Sequence, residues 1–206
     1  MPKTSIIPTA SPRSLQKALL TLQKGGVIVF PTDTVYGLAV PILNEVGINR
    51  LFEIKGRDFN KAIAVLVGDI NHLSQLTPGL PPMAKKLADA FWPGALTLIV
   101  SCASGLPHNL SPLPTIGIRM PDHPFALKLL RKSGPLATTS ANISGGANTT
   151  TAQQVLDQLD GKIDLLLDGG QTPGAVPSTV VDCTKSQLTI LRQGAITEEA
   201  LRAALE

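Results

Sequence analysis

Apolar residues recur along this chain in two alternating rhythms. Leu15, Ala18, Leu19 and Leu22 form one helical stripe, which Ser11-Pro12 should open and Gly25-Gly26 should close. Val27–Phe30 predicts a short buried strand that ends at Pro31. Ile48, Leu51 and Phe52 predict a helix over 45–54, and the apolar run Ala62–Val67 a buried strand. Ala84, Leu87, Ala88 and Phe91 share one face of a helix begun by Pro81-Pro82 and stopped by Trp92-Pro93-Gly94. Strands follow at 96–100 and 116–119, then a helix from Pro124 carrying Phe125, Leu129 and Leu130, and a strand at 136–139. Thr150 or Thr151 is placed to cap a helix with Ala152, Val155, Leu156 and Leu159 inward. The last predicted strands are 164–168, 178–182 and 188–192, and Thr197 caps a final helix with Glu198 and Glu199 in its first turn.

Strands and helices mix throughout, so the fold class is α/β or α+β. The hairpin-like pair near the end argues for a mixed sheet. The 206 residues fit one domain, drawn here as 8–206 with residues 1–7 as an N-terminal extension. Hydrophobic residues are 43% and charged residues 16%, which excludes a disordered chain. Aromatics are only 3%, so the core must rest on aliphatic side chains. Cys102 and Cys183 have no paired spacing, and buried reduced thiols are expected. No apolar run resembles a leader peptide or a membrane span, so the expected location is the cytoplasm, with no membrane partner. The net charge of +3 and pI near 9.0 suit phosphate or nucleic-acid ligands, and equally an ordinary basic protein.

Polar residues gather where the strands end. Pro31-Thr32-Asp33-Thr34-Val35-Tyr36-Gly37-Leu38 places hydroxyls, a carboxylate and a phenol directly after a buried strand, although a capped Asx or Ser/Thr turn would read the same way. Lys55-Gly56-Arg57 and Lys61 form a cationic group suited to phosphates; a helix C-terminus would also attract Lys55, but not Lys61. Arg119 closes a short apolar strand, as a carboxylate clamp or as half of a structural ion pair. Thr138-Thr139-Ser140-Ala141-Asn142 and Ser144–Asn148 could bring amides to an anion, or be a plain surface loop. Ser178 begins one strand and Arg192 ends another. His72, His108 and His123 lack metal-ligand spacing, and neither a Walker A loop nor a Gly-x-Ser-x-Gly elbow is present. Such residues bind anions and position reactants rather than act as nucleophile or base.

Taken in order, Pro31–Leu38, Lys55-Gly56-Arg57, Trp92–Thr97, Ile118-Arg119-Met120-Pro121, Ser140-Ala141-Asn142 and Pro177–Val180 resemble the YrdC-like family of L-threonylcarbamoyladenylate synthases. The resemblance covers roughly Leu15 to Leu205. It implies a twisted mixed sheet flanked by helices, with a positively charged groove, in the short single-domain form. It also implies a nucleotidyltransferase that joins L-threonine, bicarbonate and ATP, with magnesium, into threonylcarbamoyl-AMP and pyrophosphate. Partner proteins would then pass the group to a tRNA adenosine beside the anticodon. By position, Thr32, Arg119, Thr138 and Ser178 match the L-threonine side. Lys55, Arg57, Lys61, Thr115, Ser140, Asn142, Asn148 and Arg192 match the ATP side, with Lys55 and Arg57 as electrostatic catalysts and no protein metal ligand. The chain departs from the family pattern at Asp58, at Ala62-Ile63 and at Leu66, where some members carry a His. Two rival readings share these motifs: an RNA-binding module without adenylation, against which the scarcity of aromatics counts, and an adenylating enzyme with another small donor.

Overall fold

The computed structural model describes residues 3–59, 61–174 and 176–206. Ten strands among them make one mixed, twisted sheet: β1 (Ser5–Pro8), β2 (Ile28–Phe30), β3 (Gly37–Pro41), β4 (Ala64–Leu66), β5 (Leu96–Ser101), β6 (Thr115–Arg119), β7 (Leu136–Ser140), β8 (Leu165–Asp168), β9 (Thr179–Asp182) and β10 (Thr189–Arg192). They lie in the order β1-β8-β2-β3-β7-β4-β6-β5-β9-β10. The pairs β1–β8, β8–β2, β4–β6 and β5–β9 are parallel and the remaining pairs antiparallel. Six helices follow the predicted stripes: α1 (Ser14–Gln23), α2 (Glu45–Lys55), α3 (Pro82–Phe91), α4 (Pro124–Ser133), α5 (Ala152–Leu159) and α6 (Glu198–Ala203).

Side chains alternate across a strand, and this chain uses the alternation to build two unlike faces. Val29, Leu38, Val40, Val65, Leu96, Leu98, Ile118 and Leu166 point to one face, where α2, α3, α5 and α6 cover them. Ile28, Phe30, Ala39, Leu66, Leu136, Leu165 and Leu167 point to the other, where only α1 and α4 pack. Those two helices leave the rest of the second face open, and the cavity lies there.

Some boundaries differ from the sequence expectation. Ser5–Pro8, for which the sequence offers no strand, form the edge strand β1, paired with Leu165–Asp168. The mixed polar and apolar run at 5–8 gives no alternation to read, and its pairing with β8 supplies the order. The sequence offers no strand between Leu38 and the helix at 45; β3 is a central strand between β2 and β7. α1 starts at Ser14 rather than at Pro12, because the Ser11 carbonyl accepts Ser14 N and Ser14 Oγ and forms a separate turn before the helix. Thr151 does cap α5, in a reciprocal box with Gln154. Both cysteines are free thiols, Cys183 buried and Cys102 half-buried.

Candidate active site

The open face carries a cavity of about 310 Å³. Its floor is a row of inward positions on adjacent strands: Gly37, Thr138 and Ser140, Ala64 and Leu66, Gly117 and Arg119, Thr97 and Ile99, and Val180. Glycine at 117 keeps the floor low, since a Cβ there would stand 3.0 Å from Ile99 Cδ1 and 3.2 Å from Thr97 Cγ2.

Arg119 ends β6 in the middle of this floor and is only 6% exposed. Its Nε donates to Gly94 O at 2.9 Å, Nη1 to Thr34 Oγ1 at 3.0 Å and Nη2 to Asp33 Oδ1 at 2.5 Å. The loop after α3 presents that carbonyl, since Gly94 N is itself held by Met120 O and Trp92 Nε1 by Leu96 O. Both readings of Arg119 from sequence therefore meet in one group. It is ion-paired, yet these bonds use three of its five N–H donors. On the β3 and β7 side stand Thr32, Thr34 and Thr138. Thr32 Oγ1 lies 3.1 Å from Thr34 Oγ1 and donates to Val35 O at 2.7 Å, while Thr138 Oγ1 donates to Leu136 O at 3.0 Å. Tyr36 does not offer its phenol to the cavity. Its hydroxyl donates to Gly170 O and accepts from Gly169 N, and burial pushes its pKa up to about 12.

On the β5 and β9 side, Thr97 Oγ1 and Ser178 Oγ lie 2.8 Å apart, and Arg192 grips Ser178 through its carbonyl and its hydroxyl. Arg57, just past α2, lines the same cavity and donates from Nη2 to Ala62 O at 3.0 Å. Its Nε is buried without a hydrogen-bond partner among the described residues, which leaves that donor to a ligand or an ordered water. Burial lowers the pKa of Arg57, Arg119 and Arg192 alike; Arg57 lowers that of Arg192 further, and Arg192 that of Arg119. Three guanidinium groups that repel one another around one cavity, with Asp33 paired to one of them, form a site for an anion.

Of the residues singled out in the sequence, Thr32, Arg57, Arg119, Thr138, Ser140, Asn148, Ser178 and Arg192 line this cavity. Four expected residues do not. Lys55 is 2% exposed, and its ammonium is turned inward, donating to Ser140 O and Asn142 O at 2.5 Å each and to Asn142 Oδ1 at 3.3 Å. It is a strut under the loop after β7, and burial, then Arg57, pull its pKa down to about 8. Asn142 is buried too, closing that loop through Ile143 O and Gly146 O. Lys61 is exposed outside the cavity lining, and Thr115 lies at the far end of β6 beside Ser101. Sequence reasoning passed over Thr97. Its signal was a hydroxyl at the inward position of an otherwise aliphatic strand.

Fold and site together define an α/β domain with a polar, arginine-rich cavity on the uncovered face of a mixed sheet. The family model Sua5/yciO/yrdC, described as "Telomere recombination", matches residues 20–194. The chain belongs to this family. It is 43% identical over 98% of its length to the Bacillus subtilis protein called threonylcarbamoyl-AMP synthase, and the match spans 59% of that longer protein. A Mycobacterium tuberculosis H37Rv protein called putative threonylcarbamoyl-AMP synthase is 36% identical over 96% of this chain and 92% of its own. Among solved structures, Pyrococcus abyssi Sua5 complexed with L-threonine superimposes with a TM-score of 0.90 at 37% identity, over 93% of this chain and 57% of that one.

Proposed function

We propose that this chain is an L-threonylcarbamoyl-AMP synthase, which joins L-threonine, bicarbonate and ATP and releases pyrophosphate. The observation that carries the reading is the pairing of a buried Arg119 flanked by hydroxyls with the unsatisfied Arg57 and the Ser178-bound Arg192 in one cavity. The names of the relatives and the L-threonine bound to the P. abyssi structure support it.

In this scheme the threonine carboxylate takes the unused donors of Arg119, with Thr32, Thr138 and Ser178 around the amino acid. Arg57 and Arg192 take the phosphates, aided by Ser140 and Asn148, while Lys61 and Thr115 meet the outer parts of the nucleotide. Lys55 and Asn142 act from behind, by fixing the end of β7 at Ser140 and the loop that follows it. The amine displaces hydroxide from bicarbonate carbon and loses its proton, giving carbamate and water. A carbamate oxygen then attacks the α-phosphorus, and the bond to the β-phosphate breaks with its electron pair leaving on pyrophosphate. The nucleophile is already an anion, so the task of the protein is to hold two anions together and neutralise them. No group of three or more His, Cys, Asp or Glu side chains able to hold a metal exists among the described residues. Magnesium is therefore assigned to the phosphates of the nucleotide, as part of the substrate. No helix among the described residues is long and apolar enough to cross a membrane; we place the protein in the cytoplasm, handing its product to partner proteins that modify tRNA.

The test is pyrophosphate release from ATP with L-threonine and bicarbonate, each omitted in turn. Release that requires all three is expected. Release indifferent to threonine, or no turnover beside intact ATP binding, overturns the reading.

A further inference from the structure

A second pocket, of about 350 Å³, lies where the C-terminal half of α1 meets the middle of α2 and the chain entering β8. It shares no lining residue with the first cavity. The two flank β2: Asp164 of the second pocket holds Val27 N at 2.6 Å just before that strand, and Thr32 lines the first cavity just after it. The volume is within the roughly 300–1,000 Å³ of small-molecule sites.

Its charge is one-sided. Lys17, Lys24 and Arg50 line it against one carboxylate, Asp164. Arg50 donates from Nη1 to Asp164 Oδ2 at 2.9 Å and from Nη2 to Lys162 O at 3.4 Å. Asp164 Oδ2 also accepts from Val27 N, so the guanidinium is held by the start of β2, with donors to spare. Lys17 and Lys24 pair with no carboxylate among the described residues. They stand two helical turns apart on one face, with Leu20 and Thr21 between them. A helix C-terminus attracts a lysine by itself. That accounts for Lys24, but not for Lys17 or for their convergence with an arginine of another helix. The glycine turn after α1 permits the convergence: a Cβ on Gly26 would stand 2.7 Å from Thr21 Cγ2 and 3.3 Å from Asp164 Oδ2.

Two further groups suit more than a bare anion. Leu20 is 46% exposed and gives the pocket an apolar wall. Asp164 Oδ1 accepts no hydrogen bond among the described residues, which leaves an acceptor for a hydroxyl or an N–H. Fixed and free cations, a carboxylate acceptor and an aliphatic contact match, in turn, a phosphate, a ribose hydroxyl and a base. We propose that this pocket is a second site, for a nucleoside phosphate. Lys17, Lys24 and Arg50 take the phosphate, Asp164 Oδ1 a sugar hydroxyl, and Leu20 the base. A free nucleotide and one residue of an RNA strand present the same chemistry. The inference does not depend on the proposed synthase reaction, since the two sites use different residues.

The test is a proton–nitrogen NMR titration of the full chain with inorganic phosphate, uridine monophosphate and a short single-stranded RNA. It follows the amides of Thr21, Gly25, Gly26 and Arg50, with those of Gly37 and Gly117 reporting on the first cavity. Uridine monophosphate should shift the first group saturably, at a concentration ~10-fold or more below that needed with phosphate, the size of an added hydrogen bond to a charged group. Lys17→Gln combined with Lys24→Gln should raise that concentration ~10-fold or more and leave the Gly37 and Gly117 responses as they were. Lys85→Gln combined with Lys185→Gln removes as much charge elsewhere and should change neither. RNA identifies the source: tighter binding than uridine monophosphate, falling steeply with salt, assigns the site to a strand, and binding no tighter assigns it to the free nucleotide. Phosphate bound as tightly as uridine monophosphate overturns the nucleoside assignment. No saturable shift at Gly25 and Gly26, or shifts weakened equally by the control pair, overturns the site. Should the Lys17 and Lys24 pair not fold, Leu20→Ser decides: it should weaken uridine monophosphate and spare phosphate, and no effect on either overturns the inference. Pyrophosphate release should be unchanged in the Lys17 and Lys24 pair, so failure of this site and failure of the synthase reading are separate results.

Discussion

Arg57 and Arg119 differ in what the protein already gives them. Arg57 holds one carbonyl and keeps a buried Nε unsatisfied, so removing it releases strain from burial and loses a ligand contact. Arg57→Ala should therefore reduce pyrophosphate release by ~10²–10³, the scale of a missing charge-stabilising donor, with a denaturation midpoint equal to or above wild type. Arg119 is the partner of Asp33, with side-chain exposures of 7% and 12%. Arg119→Ala should raise the threonine requirement and also lower stability by about 3 kcal/mol in urea unfolding, because it strands a nearly buried carboxylate. Lys55 makes a third case. Burial pulls its pKa down to about 8, below the value of about 10.4 in an unfolded chain. Between those values the unfolded state binds more protons, so the contribution of Lys55 to stability increases as pH rises through that window. Tyr36 and Cys183, pushed up to about 12, act oppositely above their ordinary values. The difference between wild type and Lys55→Met, followed by urea unfolding from pH 7.5 to 9.5, isolates the lysine and should shift in favour of wild type as pH rises. A pH-independent difference would count against the buried ammonium. From sequence Lys55 read as one more ATP-facing cation, since a helix-terminal lysine beside an arginine gives no hint that its carbon chain turns inward.

At the scale of elements, α5 is tied to the loop after β7. The Thr151 cap fixes the start of α5, and Gln158 on the same helix reaches back to Ile143 N at 2.9 Å and Ala147 O at 3.1 Å. That loop carries Asn148 to the cavity wall. Gln158→Ala should accordingly raise half-saturating ATP in steady-state kinetics while leaving threonine unchanged; an equal effect on both would mean a general loss of order. Helices were legible in the sequence because prolines, capping hydroxyls and glycines bracket 3.6-residue stripes. Strands were legible where short runs rich in aliphatic and β-branched residues stood between turn signals. β3 was not, since the polar segment 31–38 runs into it and leaves only Ala39-Val40 as a further aliphatic stretch, yet its pairing with β2 and β7 makes it central. The cavity lining at Thr97 escaped for a related reason: only the partly covered second face gives the inward position a polar role, and a strand cannot announce which of its faces a helix will cover.

For the molecule as a whole, the division of labour between the faces explains how so plain a composition holds an active site. One face is closed by four helices over an aliphatic core, and the other is closed by two and left open where the arginines stand. Rigid strands therefore set the distances between most of the cavity's polar groups, with Arg57 and Asn148 brought in from loops. The six ordered motifs marked most of that arrangement in the sequence, because five of them lie at a strand end or on a floor strand and Lys55-Gly56-Arg57 closes α2; the Asp33–Arg119 pairing, made across 86 positions, was beyond any local reading. The arginines also carry a practical consequence. A cavity that keeps Arg57, Arg119 and Arg192 within mutual repulsion is relieved by any small polyvalent anion that enters it. Phosphate or sulfate in a purification buffer will lift the melting temperature, by linkage worth about 2.7 kcal/mol at a hundredfold excess over the dissociation constant, and Arg57→Ala should blunt that rise in a thermal-shift titration. Under the proposed synthase reaction the same occupancy should make those salts competitors of ATP, so a preparation that looks healthiest on the bench is expected to give the poorest rates until it is dialysed into chloride.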